Sequence, residues 1–181
     1  ESLQHLLLGL SVAATPATLV QQLAREIGAF TRAYPLIDVE VQESINPAVV
    51  RAVQTGEVDL GIIIAAPSVS FDDLDTVHYR TDRVVAIAPR DHAFSERARV
   101  TLEDLLETRL IGIQAATTLM TEIRNAARAI GQELKPKYSV DGVDSARSLV
   151  LAGLGVTIQP ECMLPQEYLD RLVVVPIDEP W

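Results

Sequence analysis

Between residues 10 and 66 short apolar runs alternate with stretches of helical spacing, and that alternation constrains the fold more than any other feature of the sequence. Leu10, Val12 and Ala14 alternate with Ser11 and Ala13 as a short strand, after which Thr15-Pro16 reads as a turn or a helix start. Leu19, Leu23, Ile27 and Phe30 recur every three or four residues, predicting a helix over 19–34 with one buried face, ended by Pro35. Val39 and Val41 alternate with Glu40 and Gln42 as a second strand. Asn46-Pro47 opens the next helix, because Asn can accept an orphan N–H bond and Pro fills the first helical position at little cost. Val49, Val50 and Val53 face inward and Gly56 closes that helix. The run LGIIIAA over 60–66, stopped by Pro67, predicts a central parallel strand covered on both faces. Strand, helix, strand, helix, strand is the signature of a parallel sheet with helices on its faces.

After a break rich in Pro, Ser and Asp over 68–75, the same rhythm resumes. Strands are predicted over 84–88, 110–113, 138–140, 156–158 and 172–177. Helices are predicted over 101–106, from Thr117 or Thr118 to Gly131, over 141–153 and over 162–169. The fold class is therefore α/β with two similar-sized lobes, which 181 residues can supply with real cores.

Composition excludes several functions. A formal net charge of -10 repels nucleic acid and anionic membrane, and no basic cluster overrides it locally. An aromatic content of 4% argues against base or sugar stacking as the main business. No stretch approaches the roughly 18 uninterrupted apolar residues of a membrane span. Cys162 is the one cysteine, so no internal disulfide forms, which favours a reducing compartment, and the thiol reads as a small half-buried hydrophobe. His5, His78 and His92 fall in different elements, and no metalloprotease, redox or serine-hydrolase motif is present. Asp72, Asp73 and Asp75 read as a solvated turn, and Gly153-Leu-Gly155 follows a helix and precedes a strand, the reverse of a dinucleotide fingerprint. No cofactor and no catalytic or metal-binding residue is expected.

At this level the sequence resembles a known family. GLSVAATP over 9–16, the helix ending FTRAYP at 30–35, and Val39-Glu-Val resemble the start of the effector-binding domain of LysR-type transcriptional regulators. GEVDLGI from Gly56 resembles that family's G-x-x-D-x-x-I stretch, and APRDH over 88–92 its P-x-x-H stretch. LEDL from Leu102 resembles its L-x-D-L stretch, and AGLGVTIQP from Ala152 its A-G-x-G-I-x-x-x-P stretch. The resemblance implies two Rossmann-like lobes joined by crossover strands, as in type-2 periplasmic binding proteins. Residues 1–8 would end a linker helix, lobe one would comprise 9–71 and 161–181, and lobe two 72–160. It also implies a small organic anion as effector between the lobes, cytoplasmic location, and assembly as a homodimer or homotetramer. DNA would be contacted only through an N-terminal winged helix-turn-helix outside this sequence, with no membrane contact. In the expected assembly the helix over 19–30 meets region 144–151 of another subunit, Val20, Leu23, Ile27, Val150 and Leu151 offering apolar surface.

Independently of the family, ligands of open parallel sheets settle beyond the carboxyl ends of strands, where helix N-termini present unpaired N–H groups. The candidate ligand-binding residues are accordingly Thr15 and Pro16, Asn46, Ala65 and Ala66, and Gln114, Ala115, Ala116 and Thr117. Asn46 either contacts ligand or caps its own helix, and Thr15 either contacts ligand or serves the turn. Arg80, Arg83 and Arg147 are further candidates for pairing with a carboxylate, or else salt-bridge residues. The functional expectation is an effector-sensing regulatory domain. The alternatives are a solute-binding protein of a transport system, or a transferase or dehydratase that would need an acid–base pair converging in the cleft.

Overall fold

In a computed structural model of the chain, residues 8–113 and 117–178 are described, Gln21 through its backbone alone. The chain forms two compact units, Glu1–Val77 and His78–Trp181.

The first unit begins with β1 (Leu8–Ala14), so Leu8, expected in a linker helix, is already in a strand; residues 1–7 lie outside the described ones. Pro16 starts a helix three residues earlier than the apolar spacing predicts, since proline at a first helical position forfeits no bond. This helix runs from α1 (Pro16–Thr18) through a wide π-type turn at Leu19–Leu23 into α2 (Ala24–Ala33). β2 (Ile37–Glu43), α3 (Asn46–Gln54) and β3 (Leu60–Ile62) follow. The sheet order is β2-β1-β3, all parallel. On one face of β1, Val12 and Ala14 are buried with Leu23 and half-buried Leu19 and Ile27; on the other, Ala13 is buried with Val49, Ala52 and Val58. This is the period-two division a two-sided strand requires.

The expectation of a central strand over 60–66 is corrected. β1 is central, β3 lies at the edge of the described sheet, its ladder stops at Ile62, and Leu60 is 52% exposed. An unbroken apolar run reports hydrophobicity, not backbone pairing, and the backbone of Ile64 is bonded to a side chain instead of a strand.

The second unit contains β4 (Val84–Pro89), α4 (Leu102–Leu106), β5 (Leu110–Ile113), α5 (Thr118–Ala129), β6 (Tyr138–Val140), α6 (Val143–Leu151), β7 (Val156–Pro160) and β8 (Leu172–Pro176). Its sheet order is β6-β5-β7-β4-β8, with β5 parallel to β6 and β7 and β4 antiparallel to β7 and β8. One face buries Leu102, Leu105, Met120, Ile123 and Ala127 with Val156 and Ile158; the other buries Ala146 and Val150 with Val85, Ile87 and Ile111. α6 ends at left-handed Gly153, φ +75°, and a side chain at Gly155 would collide with the Arg109 carbonyl, which accounts for both glycines of AGLG.

The units divide differently from the expected lobes. β8 pairs with β4 from Leu172↔Pro89 to Pro176↔Val85, so this strand of the 161–181 segment lies in the second unit's sheet, and the first unit extends to Val77. The predicted helix over 162–169 is replaced by 3-10 turns at Glu161–Met163 and Gln166–Tyr168, because Pro165 lacks the N–H a continuous helix needs. Val150 is fully buried and Leu23 is 6% exposed, so neither offers the outward apolar surface expected of them, whereas Val20 is 61% exposed.

Candidate functional site

The carboxyl ends of β1, β2 and β3 form a rim on the first unit, stitched together by the backbone. Thr15 donates its N–H to the Ile62 carbonyl at 3.2 Å, and Ser44 donates to the Ala14 carbonyl at 3.0 Å. The helix beginning at Pro16 and α3 both start at this rim, which therefore carries their positive N-terminal ends.

Thr15 precedes the helix in an extended conformation, φ -78° and ψ 156°, and is 5% exposed. Its hydroxyl does not cap the helix; it lies 3.2 Å from that of Thr18, which also donates to the Thr15 carbonyl at 2.9 Å. With the Thr18 proton committed to that carbonyl, Thr15 is the donor between the two hydroxyls, and its own oxygen retains lone pairs. Pro16 is half-buried beside it. Thr18 was legible only as a hydroxyl three residues on, a spacing that brings two side chains onto one helix face.

Asn46 does not take the capping position expected of it as one of its two roles. Ile45 occupies the capping position, and Asn46 is the first residue of α3, 2% exposed. Its amide nitrogen donates to the Ile64 carbonyl at 2.6 Å and its amide oxygen accepts from the Ile64 N–H at 3.1 Å. The partner lies 18 positions along the chain, which no local sequence signal announces. Ala65, exposed, and Ala66, half-buried, follow Ile64.

In the second unit, Thr117, one of the two caps the sequence offers, caps α5 by accepting the Met120 N–H at 3.3 Å. Gln114, Ala115 and Ala116 lie outside the described residues. α5 and α6 begin beyond the carboxyl ends of parallel β5 and β6, so this unit has a rim of the same kind. The structure thus gathers Thr15, Pro16, Asn46 and the turn after Ile64 on one rim, with Thr117 on the other unit.

The arginine candidates have other partners. Arg83 makes a two-pronged pair with Glu161, at 2.8 and 3.0 Å, on an exposed surface. Arg147 is 5% exposed, donates to the Met163 carbonyl at 2.8 Å, pairs with exposed Asp144, and lies 5.5 Å from the Tyr168 ring centre. Arg80 lies 5.6 Å from the ring centre of Tyr79.

The charged residues of the recognised stretches serve the fold. Asp59 accepts the Ser11 N–H at 2.8 Å and the Ser11 hydroxyl at 2.7 Å, and these bonds, the hydroxyl's first, hold its carboxyl below the usual range. His92 accepts the Phe94 N–H at Nδ1, packs edge-on against the Phe94 ring, and has its pKa lowered by burial against an opposing pull from Asp91. Asp104 forms a capping box with Thr101 and an ion pair with Arg97, the Thr101 backbone bond being the main cause of its lowered pKa. Among the described residues no group of three or more His, Cys, Asp or Glu could hold a metal, and no helix is long and apolar enough to cross a membrane. His78 bonds Thr81, and Asp72 accepts from Ser70. The Cys162 thiol is pushed up to about 12 by burial first and by its bond to Asp82 second.

Two α/β units with helix N-termini gathered at strand ends define a ligand-binding module. Residues 9–181 match the family described as LysR substrate binding domain, and the chain belongs to it. A probable RuBisCO transcriptional regulator of Porphyra purpurea is 28% identical over 160 residues, 86% of this chain and 50% of that protein. The chain spans about half the length of the curated relatives it matches. The crystal structure of the C-terminal domain of a probable LysR family transcriptional regulator from Rhodococcus sp. RHA1 superposes with a TM-score of 0.78 at 26% identity, covering 95% of this chain and 84% of that one. The CcmR regulatory domain of Synechocystis PCC6803 in complex with 2-PG gives 0.75 at 20% identity, covering 94% and 81%. These neighbours share the type-2 periplasmic-binding-protein-like fold, which is the fold of this chain.

Proposed function

We propose that this domain senses a small organic anion at the rim formed by Thr15, Pro16, Asn46 and the turn after Ile64. The observation that carries the reading is the meeting of two helix N-termini with the nearly buried Thr15 hydroxyl at the carboxyl ends of β1 and β2. Helix N-termini favour negative charge, and the Thr15 hydroxyl can turn its single proton from Thr18 to the anion as a directed hydrogen bond, so no arginine is needed to hold a carboxylate or phosphate.

Occupancy biases the domain's conformation, and the bias passes through subunit contacts to a DNA-binding segment outside residues 1–181. A net charge of -10 gives this domain no duplex affinity of its own. The relatives and structural neighbours are transcriptional regulators, which favours regulation over solute transport and over catalysis. A regulator of this kind acts in the cytoplasm, as a dimer or tetramer.

Native mass spectrometry against a metabolite library, followed by calorimetry, tests the reading. 2-PG is the first probe because a structural neighbour is complexed with it. Retained organic acids, with binding weakened by salt, are expected. Retention only of cations or neutral solutes would overturn the anion assignment.

A further inference from the structure

We propose that Asn46 is a positioning residue, whose side-chain amide sets the backbone of Ile64 and thereby the segment leading into the turn at Ala66–Val69 in the place the ligand rim requires. The inference rests on the effector reading above for what the turn is used for, though not for how it is held.

A primary amide presents an N–H donor and a C=O acceptor side by side, as a strand does to its neighbour. Asn46 spends both on one residue, donating to the Ile64 carbonyl and accepting from the Ile64 N–H. The β1–β3 ladder ends at Ala14↔Ile62, Thr15 N–H bonds the Ile62 carbonyl, and Asn46 takes the next inward-facing backbone pair two residues on. The side chain therefore continues the sheet where no strand residue is available. At 2% exposure, losing either bond would strand a buried polar group, so the arrangement has little freedom to slip. Its effect is to fix where the chain leaves the sheet of the first unit, with Ala65 and Ala66 immediately beyond the anchored residue. It also explains why an apolar run of seven residues forms a strand of only three.

Asn46→Asp and Asn46→Ala test this through amide hydrogen exchange of the 181-residue chain, read at single residues by NMR. Near neutral pH the introduced carboxylate still accepts from the Ile64 N–H but repels the Ile64 carbonyl. Exchange at Ile64 should accelerate about tenfold or more in both variants, while that at Thr15 and Val58 stays within about twofold of wild type. Once the pH is low enough to protonate the introduced carboxyl it can donate again, so protection returns in Asn46→Asp and not in Asn46→Ala. A merely space-filling residue would give no such rescue. Unchanged exchange at Ile64, loss spread equally to Thr15 and Val58, or absence of acid rescue would each overturn the clamp.

Calorimetry with 2-PG, as the ratio of variant to wild type at each pH, reads the consequence. A ratio weakened about tenfold in Asn46→Ala, which brings no charge to the rim, supports the positioning role; an unchanged ratio in that variant overturns it. If wild type fails to bind 2-PG or any other organic acid, the effector reading fails, while exchange at Ile64 still decides the clamp.

Discussion

The hydroxyl of Thr15 lies 3.2 Å from that of Thr18, whose own proton is committed to the Thr15 carbonyl. Thr15 therefore donates toward Thr18 in the unliganded domain, and must turn that one proton to an anion that reaches the rim. Thr15→Val keeps the shape and removes the hydroxyl, and should weaken anion binding about ten- to a hundredfold in calorimetry. Thr18→Val removes only the partner and should weaken it less than tenfold, since Thr15 keeps its hydroxyl. Equal losses in both variants, accompanied by equal falls in Tm, would mean the pair serves the helix start alone.

His92 links stability to pH. Burial lowers its pKa in the folded state, so the unfolded chain binds the proton more readily. Its contribution is fully present above the unfolded value of about 6.5 and is lost as pH falls through the lowered folded value. His92→Asn retains an acceptor for the Phe94 N–H without titrating. The difference in Tm between wild type and variant should move against wild type from about pH 8 to pH 5. A constant difference across that range would remove His92 from the pH response.

Gln159 is completely buried on β7, and neither of its amide atoms has a hydrogen-bond partner among the described residues. It shares a sheet face with Val85 and Ile87, the face that Val150 of α6 packs against, an apolar setting in which an unmade bond costs about 1–3 kcal/mol. Gln159→Met, of similar length, should leave urea stability unchanged or raise it by about 1 kcal/mol. A loss of more than about 2 kcal/mol would show that the amide makes a bond the protein depends on.

The Cys162 thiol, with its pKa at about 12, stays protonated at ordinary pH. Iodoacetamide at about pH 8 should modify the folded protein at least tenfold more slowly than the same protein in guanidinium. Comparable rates would show that the thiol is far more accessible than its half-buried position indicates.

Val20, 61% exposed on the first helix, is the apolar residue left outward once Leu23 is buried. The domain should sediment as a dimer or larger at about 100 μM, and Val20→Glu should shift it toward monomer without lowering Tm by more than a few degrees. Wild type found only as monomer would remove this face from the assembly.

The order of elements, the strand at β1, the start of α3 near Asn46-Pro47 and a cap at Thr117 or Thr118 were all legible in the sequence. Each depends on neighbours within one turn or one strand, where periodicity and capping chemistry act. The same holds for Pro16, Pro165 and Gly153, whose backbone restrictions belong to single residues, although apolar spacing alone placed the first helix late and ran a helix through Pro165. The tertiary structure decided what depends on distant pairing. It made β1 central instead of the more hydrophobic 60–66 run, because strand order is set by which backbones meet, and apolar composition records only burial. It paired β8 with β4, buried Val150 and Arg147, and joined Asn46 to Ile64, since hydrogen bonds between segments far apart in the chain leave no period to read.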